Sequence, residues 1–313
     1  MKIDDYVHTP VLLNEVLHGL DIRPDGTYVD CTFGRGGHSQ AILERLGSGG
    51  TLFVFDKDPE AIKYAQRLAS DEPRMKLLHQ SFAKLFDSLN KDGKTGLVDG
   101  ILFDLGVSSP QLEDPDRGFS FNRDGNLDMR MDTTSGMSAA DWLNQASQDD
   151  ITHVLKVYGE EKFARRISRA IVEARGGKLI SKTGELADLI ASAIPVRERK
   201  KHPATRSFQA IRIFINHELE EITEGLQQAF ELLRINGRLL VISFHSLEDR
   251  IVKRFMRELA ESDPYPKEIP ITAEKLRPRM KIVGKAIKPG HSEISVNPRS
   301  RSAVLRIGEK LAV

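Results

Sequence analysis

The chain has 313 residues, 40% hydrophobic, with 46 Lys and Arg against 45 Asp and Glu for a formal net charge of +1. That length exceeds one ordinary core and predicts one large domain or two unequal ones. No apolar run reaches the ~18–20 residues needed to cross a bilayer, and the single cysteine, Cys31, excludes an intramolecular disulfide framework and a cysteine-based zinc site.

In chain order, Thr9-Pro10 reads as an N-cap followed by proline at the first helical position, opening a helix through "VLLNEVLHGL". The opening "MKIDDYVHTP" has two early acids and no apolar core, unlike a secretory leader, so a cytoplasmic protein with no membrane partner and no metal is expected. A short strand ends at Val29 and a helix follows over 38–46. "TLFVFD", Thr51–Asp56, is a buried strand, and Pro59 opens a helix to about residue 69. "MKLLH" and "GILFDL" are two further strands, with a helix over 82–89 between them. Apolar strands alternating with helices predict a parallel sheet covered on both faces.

The pattern changes at 109–136, which is rich in Asp, Arg, Gly and Pro and has no period. From 138 to about 212 only helices are indicated. Phe163, Ile167 and Ile171 recur every four residues, with Arg165, Arg166 and Arg169 elsewhere around that helix. A long helix to about Leu233 is followed by the strand "GRLLVISF", and "RSAVLRIGE" alternates like an edge strand. The fold class is therefore α/β, with one domain over 1–136 and 213–313 interrupted by an all-helical insertion over 137–212. Residues 162–212 hold thirteen Lys or Arg and four Asp or Glu, a local +9 that leaves −8 elsewhere. Two readings fit: a polyanion bound in one place, or a solvated helical face.

The stretch "DCTFGRGGHS" follows the first strand. Gly34, Gly36 and Gly37 would let backbone N–H groups approach a ligand at the carboxyl end of the sheet. Asp56, twenty residues beyond Gly36, has the position of an acid that bonds the ribose hydroxyls of a nucleotide cofactor. The spacing G-x-G-G-H does not match the G-x-G-x-x-G of a dinucleotide site. Asp30 at the strand end suits an ammonium group better than a pyrophosphate. S-adenosylmethionine, which carries a ribose and an ammonium, fits better than a nicotinamide cofactor. Asp104 ends the strand "GILFD" and either serves the site or caps the next element. Phe82 either stacks on an adenine or belongs to the core.

The segments "HTPVLL", "DCTFGRGGHS", "DLGVSSPQ", "RGFSF", "DMRMD", "HPATRSFQAIRI", "ISFHSLEDRIVK" and "NPRSRSA" together resemble the bacterial ribosomal small-subunit methyltransferase H family, also called MraW. The resemblance runs from His8 to about Arg306. It implies a Rossmann-like S-adenosylmethionine-dependent methyltransferase domain with an inserted helical domain. It also implies methylation of N4 of cytosine 1402 in 16S rRNA, with the small ribosomal subunit as partner. Carried onto matching positions, it puts the cofactor on Gly36, Gly37, His38, Asp56, Phe82, Asp104 and Gln111. No residue pattern specifies an oligomeric state, homodimer included.

The chemistry so implied is methyl transfer from a sulfonium to a weakly nucleophilic exocyclic amine. A proton acceptor beside that amine would help, and Asp104 is the candidate. Carbon-5 methylation would instead need a cysteine nucleophile, and Cys31 lies inside the glycine loop, where a small buried residue is expected. The Asp/Asn-Pro-Pro-Tyr of DNA amino-methyltransferases is replaced by Asp104-Leu-Gly-Val. The basic helices nominate Arg197, Arg199, Lys200, Lys201 and Arg206 for RNA phosphates. A nicotinamide-dependent oxidoreductase and a non-catalytic RNA-binding module are the rival classes.

Overall fold

The computed structural model describes residues 10–91, 93–195, 202–261 and 278–312. The chain divides into two compact units, one made of the residues up to Gly106 together with those from Leu219 on, the other Val107–Glu218.

The first unit is built on a seven-stranded sheet: β1 (Thr27–Asp30), β2 (Thr51–Asp56), β3 (Met75–His79), β4 (Val98–Asp104), β5 (Leu233–Ser243), β6 (Met280–Ile282) and β7 (Val304–Lys310). Their order is β3-β2-β1-β4-β5-β7-β6. β1 to β5 pair in parallel, while β7 is antiparallel to both β5 and β6. Side chains alternate between two cores. Leu52, Val54, Leu102, Leu240 and Ile242 face one, with helices Leu13–Leu20, Gly37–Leu43 and Pro59–Ala69. Phe53, Phe55, Ile101, Phe103, Leu239 and Val241 face the other, with helices Leu85–Asn90, Glu218–Leu232 and Ser246–Ala260. Burial on both faces explains why these strands are continuously apolar.

Two sequence expectations change here. "RSAVLRIGE" is not an edge: β7 lies between β5 and the three-residue β6, too short to announce itself in sequence. Gly308 makes room for that neighbour, since a Cβ there would lie 2.4 Å from the Met280 sulfur. Thr9 lies outside the described residues, and the first helix begins at Leu13 after Leu12 in the left-handed region (φ 53°). The Leu12 N–H donates to Glu293 Oε1 at 2.8 Å, so a distant carboxylate serves where a local cap was expected. The helix Ser246–Ala260 opens on a capping box in which Glu248 accepts from the backbone N–H of His245.

The second unit packs helices Ala139–Gln145, Gln148–Val157, Ala164–Arg175, Thr183–Ala193 and Thr205–Asn216 around Leu143, Ile151, Leu155, Ile167, Ile171 and Ile211. Ser138 and Ser147 cap the first two by accepting from the N–H groups of Asp141 and Asp150, each at 3.1 Å. Phe163 precedes the third helix instead of lying within it. Residues 109–136, expected with the sheet, belong to this unit. Leu127 and Met129 are buried in its core. Asn216 Nδ2 donates to the Met129 carbonyl and its Oδ1 accepts from the Met131 N–H, both at 2.7 Å. The divisions expected at 136 and 212 thus fall at 106 and 218. Among the described residues, no helix is long and apolar enough to cross a membrane.

Candidate functional site

The sheet order reverses direction at β1, which lies between β2 and β4. At such a switch point the connections leave in opposite directions and open a crevice at the carboxyl ends of the strands. Asp30, Asp56 and Asp104 are the last residues of β1, β2 and β4. The loop after β1 is bound to both neighbours: the Cys31 N–H donates to the Leu102 carbonyl at 2.9 Å and the Phe33 N–H to the Phe55 carbonyl at 3.0 Å.

The glycines are demanded locally. Gly36 is left-handed (φ 75°), and a Cβ on it would lie 2.6 Å from the Phe33 ring; one on Gly37 would lie 2.3 Å from Cγ of Pro10. The loop can therefore be neither stiffened nor enlarged without moving Pro10 or the Phe33 ring.

The three carboxylates differ. Asp30 is buried; Thr32 N–H donates to its Oδ1 at 3.1 Å and the Ser39 hydroxyl to its Oδ2 at 2.6 Å. Burial pushes its carboxyl above the ordinary range, partly opposed by Ser39. Asp30 thus organises the loop internally through Thr32 and Ser39. Asp56 accepts from the N–H groups of Gly34 (2.9 Å) and Asp58 (2.8 Å), and burial pushes its carboxyl to about 6. Asp104 donates its backbone N–H to the Thr32 hydroxyl at 2.7 Å. Its Oδ2 lies 3.6 Å from His38 Nε2, an ion-pair contact too long for a hydrogen bond.

His38, in the first turn of Gly37–Leu43, is buried with neither ring nitrogen hydrogen-bonded, and Asp104 Oδ1 is likewise buried and without a partner. Burial lowers the imidazole pKa, but Asp104 and Asp30 together outweigh it and the net shift is upward. Buried polar atoms without partners are rare, and three of them converging at the mouth of a crevice mark a place prepared for a ligand. Thr32 and Ser39 escaped the sequence reading. Their signal was a hydroxyl two residues after a strand-ending Asp, and another early in the following helix.

Other residues lie elsewhere. The half-buried Phe82 ring stands edge-on to Phe103, with centroids 5.3 Å apart, and covers Gly225, so it belongs to the core on that face. Gln111 is in the second unit, where its Oε1 accepts from the Ser108 N–H at 2.8 Å and closes the start of helix Ser109–Glu113. Arg206 is half-buried on helix Thr205–Asn216, while Arg197, Arg199, Lys200 and Lys201 lie outside the described residues.

The model of the MraW methylase family matches residues 5–311. The chain belongs to the MraW methylase family. It is 56% identical over 305 residues to the ribosomal RNA small subunit methyltransferase H of Coxiella burnetii strain RSA 331, covering 97% of this chain and 99% of that protein. The homologue from the Dugway strain matches equally, at 56% over 305 residues. An rRNA methylase structure from Streptococcus thermophilus is 11% identical, with a TM-score of 0.41, covering 94% of this chain and 92% of that one.

As an MraW methylase the chain uses S-adenosylmethionine. The crevice fits that cofactor on its own terms: an acceptor carboxylate at the end of β2, glycine backbone at the end of β1, and unpartnered polar atoms on His38 and Asp104.

Proposed function

We propose that this methylase acts on small-subunit ribosomal RNA in the cytoplasm, placing the methyl group of S-adenosylmethionine on N4 of cytidine 1402 of 16S rRNA. The observation that carries this reading is the pair of buried His38 and half-buried Asp104 at the switch point, with its free acceptor atom Asp104 Oδ1. The RNA class follows from relatives 56% identical whose name is that activity. The amine, in preference to carbon 5, is supported by Cys31. It is the only cysteine, it is buried, and burial pushes its thiol well above the ordinary range, so no thiolate is on hand to attack a pyrimidine ring.

The cofactor supplies an electrophilic methyl group on a good leaving group. Asp56 accepts from the ribose hydroxyls, and the backbone of Gly36 and Gly37 admits the ligand where a Cβ could not fit. Within the unit that carries the sheet, His38 completes the set that the family resemblance assigns. Asp104 Oδ1 accepts the proton that the amine sheds as its nitrogen forms the new bond. His38 faces the other Asp104 oxygen across 3.6 Å and orients that carboxylate. Most of the acceleration comes from alignment, which can contribute up to about 7–11 kcal/mol. The helices of the second unit, Arg206 among them, supply RNA recognition.

Under-methylated small subunits and naked 16S rRNA, incubated with methyl-labelled cofactor and mapped by nucleotide, test the reading. Label on the cytidine N4 is expected. Label on carbon 5, or none on small-subunit RNA, overturns it.

A further inference from the structure

We propose that a hollow in the second unit, between helix Gln148–Val157 and the start of helix Ala164–Arg175, seats the phosphates of an RNA backbone. The proposal rests on the reading of the substrate as small-subunit RNA.

The hollow has a volume of about 580 Å³ and is lined by Lys156 from the first helix and by Lys162, Arg165 and Arg166 at the second. All four side chains are exposed, and among the described residues none makes an ion pair or a side-chain hydrogen bond. The acids at the rim are committed elsewhere. Asp149 sits in the first turn of its own helix, where the positive helix end favours it, and Glu161 is buried with its Oε1 accepting from the Phe163 N–H at 2.9 Å.

At the start of helix Ala164–Arg175 the four-residue spacing brings like charges together, Lys162 with Arg166 and Arg165 with Arg169. The first turn also holds no acid and no side-chain cap, so its arginines stand at the positive end of the helix dipole. Each feature works against the folded helix, and a bound polyanion relieves all of them. A phosphodiester backbone fits, because it brings repeated charge without requiring shape recognition.

The test is the double variant Arg165→Glu, Arg166→Glu, measured for binding to a naked 16S rRNA fragment over a range of salt. Acids in the first turn suit the helix dipole, so the thermal midpoint should not fall, and cofactor affinity by calorimetry should stay unchanged. RNA affinity should fall at least about tenfold, and the plot of log K against log salt should become shallower by about 1.4–1.8, two phosphate contacts' worth. The same charge change at Lys63 and Arg67, on helix Pro59–Ala69 of the other unit, should leave the slope near wild type. An unchanged slope in the Arg165/Arg166 variant, or an equal loss in the Lys63/Arg67 control, overturns the hollow as a phosphate seat while wild-type binding leaves the RNA reading intact. A wild-type protein that neither binds nor methylates small-subunit RNA removes the reading beneath it.

Discussion

His38 Nε2 stands 3.6 Å from Asp104 Oδ2, linking the first turn of the helix after β1 to the last residue of β4 across the switch point of the sheet. Among the described residues neither side chain makes a hydrogen bond, and both are anchored through backbone: His38 by the glycine turn, Asp104 by its N–H on the Thr32 hydroxyl. The pair is therefore held by the sheet and remains open toward a ligand.

That geometry makes His38 a reporter for Asp104. An NMR titration of the imidazole should give a midpoint above the ordinary 6.5, and Asp104→Asn should lower it, because burial then meets less opposition. For a raised histidine the stabilisation is complete below the unfolded value and is lost as pH rises through the folded one. Asp104→Asn should also reduce kcat more than RNA affinity, since proton acceptance matters near the transition state. A raised KM for the cofactor with kcat intact would make Asp104 a cofactor-holding group only.

Asp56 ties cofactor binding to pH. Asp56→Ala should weaken S-adenosylmethionine binding about ten- to a hundredfold by calorimetry, as expected for a lost charge-assisted hydrogen bond of ~1.5–3 kcal/mol. Its carboxyl, at about 6 in the fold, binds a proton more readily there than in the unfolded chain at 3.8. Its contribution to stability is thus greatest below 3.8 and declines as pH rises toward 6. Relative to wild type, Asp56→Asn should gain up to about 3 kcal/mol between pH 4 and pH 7 in denaturant titrations. A difference independent of pH would contradict the assignment.

Ser39 holds the glycine loop through Asp30. Ser39→Ala leaves a buried carboxylate oxygen without its 2.6 Å donor, which should cost about 1–3 kcal/mol in urea unfolding. Loss of less than ~0.5 kcal/mol would mean that the loop satisfies Asp30 by another route.

Cys31 separates the two chemistries open to a cytosine. Cys31→Ala should retain methyl transfer with at most a modest loss of stability, about 1 kcal/mol for a small buried side chain. Abolished turnover in a folded variant would reinstate a covalent carbon-5 mechanism.

Much of this protein was legible from local pattern. Apolar runs such as "TLFVFD" and the helix opened by Pro59 coincide with β2 and with Pro59–Ala69, because a strand buried on both faces and a proline at a helix start are signals of neighbouring residues alone. The strand-ending acids Asp56 and Asp104 were legible for the same reason. The tertiary structure alone decided what depends on distant partners. β7 became an interior strand because β6, three residues long, covers it. Residues 109–136 joined the helical unit because Asn216, 87 positions beyond Met129, satisfies that backbone. Asp30 turned inward to Thr32 and Ser39, and His38 came to face Asp104. Sequence spacing encodes the period of an element, while burial and the pairing of polar atoms are settled only when separate elements close on one another.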